Sequence, residues 1–378
     1  MKKILFLLLL FFIPLKVYGE ELIPNATSGI LIEANSGKII YEKDKDKELA
    51  VASMTKMVAQ IIILEEIEKG NIKWSDKVKV SSNASSMGGS QIYLKEGEEM
   101  SVEDLMKGIS VASGNDATVA MAEYISGSEE KFVERMNLTV KKLGLVHTKF
   151  SNCTGLDEDN HYSSSYDMAL IARELVINHP EILKFSSIYE DYLREDTDNK
   201  FWLVNTNKLI SQYEGTDGLK TGHTDNAKYC LAATVKRKDL RLIAIVLGED
   251  DSKTRNSETM KLLDYGFNNV KLKKLKNKGE MIKKIYLNKA NKKYLEIVLK
   301  NNLNVVEDVN TKLKYKYNIN INKIDIPIRK GEVVGSIDVL NNNKVISSEK
   351  LISNNNINKL NIFELYIKNI KGLIYGYI

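Results

Sequence analysis

The order of apolar and polar positions divides the chain into three textures. Up to about residue 269, strand-like and helix-like periods are mixed. Apolar alternation over 28–33 and 38–42 predicts two strands around the turn Asn35-Ser36-Gly37, a hairpin pattern. An apolar run over 57–67, closing near Gly70, predicts a buried helix whose first turns carry Ala52-Ser53-Met54-Thr55-Lys56. Helical spacing returns over 102–110 with an acidic first turn, from 111–117 through Ala122, over 129–143 and over 166–178. The stretch 150–162 reads as a loop, with turn chemistry at Asn152 and Gly155, and 190–200 is polar and charged. Two strand-like runs, 229–235 and 240–247, are joined by a charged turn, and 258–267 closes the region as a helix. Strands, then helices, then strands and a helix predict an α/β (α+β) unit with an antiparallel sheet.

From about residue 270 the helical period vanishes. Short β-branched runs over 283–287, 294–299, 312–317 and 332–339 alternate with lysine and asparagine, which predicts a small all-β domain. The tail 361–378 is different again. On a helical wheel Asn361, Glu364, Lys368, Lys371 and Gly372 share one stripe, while Phe363, Leu365, Tyr366, Ile367, Ile370, Leu373, Ile374 and Tyr377 cover most of the rest. Charges inside the segment favour an amphipathic helix lying in a membrane interface over one that spans. At the other end, Met1-Lys2-Lys3, an apolar core over 4–14 and Val17-Tyr18-Gly19 have the form of a secretory signal peptide cut before Glu20. That core is shorter than the roughly 20 residues a span needs. The expected organisation is therefore a signal peptide over 1–19, a mixed domain over 20–269, an all-β domain over 270–356 and an amphipathic helix over 357–378.

Charge sharpens this division. The net charge of +5 hides an acidic first part and a basic second part: residues 271–378 carry 22 Lys+Arg against 9 Asp+Glu, and residues 20–270 carry 30 against 41. A basic second part suits an anionic surface such as a membrane or a wall polymer. For an exported chain, nucleic acid is excluded as a partner. Two cysteines, Cys153 and Cys230, permit one disulfide without requiring it. The four histidines and two cysteines show no metal-ligand spacing, and no phosphate-cradling or dinucleotide glycine pattern occurs, so no metal or cofactor is expected.

The candidate chemistry lies at Ser53 and Lys56, three residues apart on one helix face. A serine hydroxyl needs a neighbouring base to become a nucleophile. A lysine is such a base only when burial or nearby positive charge lowers its pKa. The start of a buried helix also presents free N–H groups toward a developing oxyanion. Alone the pair is weak, because Ser-x-x-Lys recurs at Ser128/Lys131 and Ser347/Lys350. Ser-x-Asn likewise occurs at Ser113/Asn115, Ser81/Asn83 and Ser353/Asn355, whereas Lys-Thr-Gly occurs once, at Lys220-Thr221-Gly222. The informative object is the ordered set Ser53-x-x-Lys56, Ser113-Gly114-Asn115 and Lys220-Thr221-Gly222, with separations of 60 and 107 residues.

That set resembles the penicillin-recognising serine acyltransferases, which include class A β-lactamases and penicillin-binding proteins. It is most similar to the low-molecular-mass D-alanyl-D-alanine carboxypeptidases. Flanks such as Leu94-Lys95-Glu96-Gly97, Gly155-Leu156-Asp157, Tyr162-Ser163-Ser164 and the run 219–224 extend the likeness. So do the β domain and the tail. The resemblance implies that Ser53 is the acylated nucleophile, Lys56 its base and Ser113 the proton relay to the leaving group. Lys220 would place positive charge beside Ser113 and hold Lys56 deprotonated by like-charge repulsion. Asn115 would hold the peptide side chain, Thr221 the terminal carboxylate, and the N–H groups of Ser53 and His223 the oxyanion. Gly222 would let substrate approach the strand, and Arg255 would stand near the carboxylate. The implied partners are peptidoglycan stem peptides and β-lactam antibiotics, together with the outer face of the cytoplasmic membrane through the C-terminal helix. The implied location is extracytoplasmic and peripherally membrane-bound. The alternatives are a DD-endopeptidase, a β-lactamase or a non-catalytic penicillin-binding sensor. A β-lactamase needs a water-activating glutamate; Glu174, in 174–178, has a related flank but falls inside a regular helical period. A sensor would have lost a motif residue, and none is lost.

Overall fold

The computed structural model describes residues 21–311 and 313–375. The signal peptide expected over 1–19 and the end of the tail, 376–378, lie outside them. Five strands form the main sheet: β1 (Ser28–Glu33), β2 (Ile39–Lys43), β3 (Thr216–Thr224), β4 (Lys228–Arg237) and β5 (Leu240–Glu249), in the order β2-β1-β5-β4-β3 and antiparallel throughout. The centre of β5 is apolar on consecutive positions because both sheet faces are covered. Ile243, Ile245 and Leu247 face the main helical core, whereas Leu242 and Ala244 pack with Leu263 on the other side. A strand buried on both faces loses the alternation of a half-exposed one.

Helices α1 (Lys56–Glu68) and α2 (Asn115–Ser126) belong to the helical core, and α3 (Ser165–Asn178) and α4 (Ser252–Asn269) pack on the two faces of the sheet. Helix α1 runs through the core, and Met57, Val58, Ala59, Ile61, Ile62, Ile63 and Leu64 are all buried. A helix enclosed on all sides has no polar face, which explains the unbroken apolar run. Ser53 itself lies in a 3₁₀ turn, Ala52–Thr55, that leads into α1 rather than in the α-helix proper. Helix α4 begins six residues earlier than the apolar period indicates. The Asp251 carboxylate accepts from the N–H groups of Lys253 and Thr254, and this N-cap carries the helix through a polar first turn that includes Arg255. The charged stretch after residue 190 is one arm of a hairpin, Glu190–Leu193 paired with Phe201–Val204.

The second domain is all-β, as its texture indicates. Its five-stranded antiparallel sheet runs Met281–Tyr286, Tyr294–Leu299, Lys344–Ser353, Val333–Asn341, Lys316–Ile321 in space, around Leu295, Ile297, Ile337, Val339 and Leu351. A separate pair, Val270–Lys276 with Leu303–Asp308, joins it to the first domain. There Val306 and Leu272 extend the core beneath α4, and Lys38 Nζ meets the Asp308 carboxylate at 2.9 Å. The tail helix occupies Ile362–Tyr375. Ile357 is buried and bridges Ile328, so the β domain reaches beyond residue 356 and the helix starts later than 357. Cys153 and Cys230 are both buried free thiols.

Candidate active site

Strand β3 is an edge strand, and its end lies against the Ala52–Thr55 turn. The approach is close enough that a Cβ at Gly222 would come within 2.6 Å of the Val51 carbonyl oxygen. Glycine at this position therefore serves the packing of strand on turn, in addition to any closeness to a ligand. Gly155, at φ +85°, packs on Ala52 from the other side in a conformation that side chains rarely adopt. Between them these two contacts hold Ser53 in place.

Lys56 is fully buried, and its Nζ lies 2.7 Å from Ser53 Oγ and 2.7 Å from the Thr154 carbonyl oxygen. Burial pulls its pKa down to about 7, against smaller upward influences from Cys153 and Asp116. Burial, then, is the leading reason for a neutral Lys56, ahead of the like-charge repulsion expected from Lys220. The Thr154 carbonyl is presented by a turn in which Asn152 Oδ1 accepts from the N–H groups of Thr154 (3.2 Å) and Gly155 (2.7 Å). Beside it His161 Nδ1 accepts from Ser151 N–H, so Nε2 carries the proton toward Thr55 Oγ1 at 2.7 Å. Burial lowers the His161 pKa to about 4 and keeps the ring neutral.

Ser113 follows a π-helical turn, Gly108–Ala112, and adopts left-handed backbone at φ 64°, a strained state for a side-chain-bearing residue. Its Oγ accepts from Lys220 Nζ at 2.8 Å, and Lys220 also donates to the Thr221 carbonyl at 3.0 Å. Burial first, then Lys56, then Arg255 push the Lys220 pKa well down. Asn115 opens α2; its Nδ2 donates to the Gly88 carbonyl at 2.7 Å, while its buried Oδ1 has no hydrogen-bond partner among the described residues. Thr221 Oγ1 donates to Thr206 Oγ1 at 2.7 Å. The His223 ring packs on Tyr229 with centroids 4.1 Å apart.

A cleft of about 430 Å³ brings Ser53, Ser113, Thr221, Gly222, His223 and Arg255 together. Lys56, Lys220 and Asn115 stand directly behind this lining, so all nine expected residues gather at one place. Lys56, Lys220 and Arg255 are buried basic groups, and among the described residues their side chains bond to hydroxyl, carbonyl and amide oxygens rather than to carboxylates. Buried Arg255, bonded to Asn256 Oδ1 rather than to a carboxylate, leaves positive charge near the serine, suited to a substrate that carries an anion. Glu174 stays outside: it lies on α3, where Asn178 Nδ2 donates to it at 2.7 Å. Among the described residues no group of three His, Cys, Asp or Glu side chains is placed to hold a metal.

Sequence reasoning missed Ser90 and Thr206, which line the cleft, and Asp116 behind it. The buried Asp116 carboxylate accepts from Ile92 N–H (3.1 Å) and Leu94 N–H (3.0 Å), fixing the loop that carries Ser90. The paired asparagines of Asn205-Thr206-Asn207 were the available signal. Both are buried, with Asn205 Nδ2 donating to the Ser186 and Ile188 carbonyls and Asn207 Nδ2 to the Gly218 carbonyl.

A family model described as D-alanyl-D-alanine carboxypeptidase matches residues 20–251, and one described as penicillin-binding protein 5, C-terminal domain, matches residues 271–359. The chain is 44% identical over 360 residues to the D-alanyl-D-alanine carboxypeptidase DacF of Bacillus subtilis, covering 93% of this chain and 91% of that one. Among solved structures it is similar to penicillin binding protein 5 of Haemophilus influenzae, with a TM-score of 0.71, 31% identity, and 89% and 98% of the two chains covered. It is also similar to penicillin-binding protein D2 of Listeria monocytogenes in an ampicillin-bound form, with a TM-score of 0.58, 31% identity, and 64% and 97% covered.

Proposed function

The chain belongs to the D-alanyl-D-alanine carboxypeptidase family and is a serine-type carboxypeptidase, and from that premise we propose a role for each cleft residue. Neutral Lys56 keeps one N–H on the Thr154 carbonyl and takes the proton of Ser53 as Ser53 Oγ attacks the carbonyl between two D-alanines of a peptidoglycan stem peptide. The N–H groups of Ser53 and His223 receive the oxyanion. As the C–N bond breaks, Ser113, bonded to Lys220, passes a proton to the departing amine, and free D-alanine leaves. Water then hydrolyses the Ser53 ester and restores the serine. Thr221 and Arg255 bind the terminal carboxylate, and Asn115 offers its unpaired Oδ1 to a peptide N–H. The observation that carries this reading is Lys56 Nζ at 2.7 Å from Ser53 Oγ, its pKa lowered to about 7 by burial. A β-lactam enters the same path, but its leaving group remains tethered and the ester persists. The ampicillin-bound Listeria relative supports that extension.

For the location, the two ends of the chain support the same reading. Residues 1–19 direct export, and the tail helix rests on the outer face of the cytoplasmic membrane. Ile362, Phe363 and Tyr366 are 90%, 72% and 60% exposed, while Lys368 Nζ donates to the Ala290 (2.9 Å) and Asn288 (3.2 Å) carbonyls. Lys368 of the polar stripe is thereby tied to the β domain and these apolar side chains are left outward, the arrangement an interface helix requires. No helix among the described residues is long and apolar enough to cross a membrane.

The test is intact mass after mixing residues 20–378 with benzylpenicillin, beside Ser53→Ala, together with an assay of D-alanine release from a D-Ala-D-Ala peptide. The expected result is a stable adduct that the variant lacks, with D-alanine released. An adduct without D-alanine release indicates an endopeptidase or sensor, rapid drug turnover a β-lactamase, and no adduct removes the assignment of Ser53.

A further inference from the structure

The hairpin Glu190–Leu193/Phe201–Val204 has two unlike faces. Its register pairs Glu190 with Val204, Asp191 with Leu203, Tyr192 with Trp202 and Leu193 with Phe201. Alternation puts Leu193, Leu203 and Phe201 on the core side, where both leucines are buried and Phe201 is edge-on to Tyr93 at 5.5 Å. The other face carries Val204, which lines the catalytic cleft, and then Tyr192 and Trp202, which are 40% and 56% exposed. Tyr189, just before the strand and 39% exposed, is of the other parity and is fixed at the cleft edge by the bond from Asn205 N–H to its carbonyl, 2.7 Å. Two lysines edge these rings: Lys200 Nζ lies 3.8 Å above the Tyr192 ring centroid, and Lys208 Nζ, from the cleft wall, 5.6 Å from that of Tyr189.

Two exposed aromatic side chains paired across the strands of one face are unusual for a solvated hairpin and mark a contact surface. This face is also rigid. Asp191 pairs with Lys107 at 2.8 Å, and Arg194 pairs with Glu98 at 2.5 Å while donating to the Ile92 carbonyl at 3.1 Å. A preformed aromatic face that begins at the cleft wall is built to hold something continuous with whatever the cleft holds.

We propose that Tyr192 and Trp202 form a subsite for the amino-sugar glycan of the same wall polymer whose stem peptide enters the cleft. The proposal rests on the carboxypeptidase reading of that cleft. Pyranose rings have flat faces of C–H groups that stack on aromatic rings, and their hydroxyl and acetamido oxygens accept hydrogen bonds from ammonium groups such as those of Lys200 and Lys208. Reach is consistent: Trp202 is two strand residues beyond Val204, about 7 Å. The four residues between the scissile bond and the sugar extend roughly 13–14 Å.

The experiment compares two substrates that share a pentapeptide, one free and one carrying the peptide on its amino-sugar disaccharide. Trp202→Ala is expected to lower kcat/KM about tenfold for the glycan-bearing substrate, the scale of one lost stacking contact. It leaves the free peptide unchanged, and Trp202→Phe restores most of the difference. An equal loss on both substrates, or none on either, overturns the proposal. A second measurement is independent of turnover. In Trp74→Phe, Trp202 is the sole tryptophan, and the peptide-free disaccharide is expected to blue-shift its emission in a saturable way. If wild-type enzyme releases no D-alanine from either substrate, the carboxypeptidase reading of the cleft fails while this emission shift still decides the glycan subsite. An unchanged emission up to tens of millimolar disaccharide rejects it.

Discussion

Lysine occupies opposite environments in the two domains. In the first, Lys56 and Lys220 are completely buried and answered only by hydroxyls and carbonyl oxygens. In the second, lysines such as Lys271, Lys274, Lys283 and Lys284 sit on exposed strand faces, at most loosely paired, as Lys284 with Glu296 at 3.4 Å. An exposed ammonium keeps its hydration, so it contributes solubility and long-range field and little else. A buried one loses hydration, its charged form becomes costly, and it becomes a base. One residue type thus supplies surface charge in one half and chemistry in the other, and the only variable is water.

The largest expected effect comes from removing the buried base. Lys56→Ala should slow acylation by benzylpenicillin on the order of 10²–10⁴-fold, the usual scale for a lost general base, with the circular-dichroism spectrum unchanged. Normal acylation of this variant would end the role assigned to Lys56. Next is pH. Acylation should rise as Lys56 loses its proton through about pH 7, and stopped-flow rates between pH 5 and 9 report it. The sign for stability agrees. The folded pKa lies below that of the unfolded lysine, so the unfolded state binds more protons between about pH 7 and the ordinary lysine value, and the stability cost of Lys56 fades as pH rises across that window. Lys56→Met should accordingly raise Tm at pH 7 by about 5 °C while abolishing activity; a lowered Tm would show that the buried amine stabilises the fold.

A smaller change is expected at Thr221. Thr221→Val removes one hydroxyl near the substrate carboxylate and should reduce kcat/KM for D-Ala-D-Ala peptides about tenfold, mainly through KM. Deleting 360–378 should leave turnover of a soluble peptide as it was and abolish sedimentation with anionic lipid vesicles; retained sedimentation would remove the anchor. At the bottom of the scale, Lys283→Ala on the β domain should shift stability by no more than about 0.5 kcal/mol and leave activity alone. A large effect there would erase the contrast between the two lysine populations.

Much of the architecture was legible in the chain. The hairpin at Asn35-Ser36-Gly37, the enclosed helix α1, the antiparallel sheet and the all-β second domain all follow from apolar spacing, because burial on one or two faces leaves a periodic trace. The hairpin of Tyr192 and Trp202 left a fainter trace, since its first arm is largely polar and its outward face carries aromatic rather than charged side chains. The start of α4 was missed because its first turn is held by an Asp251 cap rather than by apolar contacts. Lys344–Ser353 escaped notice because its apolar positions are interrupted by serines and charges, and its pairing partners lie elsewhere in the chain.

For the site, the three ordered motifs supply Ser53, Lys56, Ser113, Asn115, Lys220, Thr221 and Gly222 because their residue types are written in the chain, and the family resemblance those motifs carry adds His223 and Arg255. What the motifs could not carry is distance and solvent. Only the folded chain sets Lys56 Nζ 2.7 Å from Ser53, presents to it the Thr154 carbonyl from 98 residues further along the chain, and closes water away from both. The pKa near 7 is a property of that enclosure. Sequence determines which groups are available, and tertiary packing determines their dielectric surroundings, which decide whether an amine is a cation or a base.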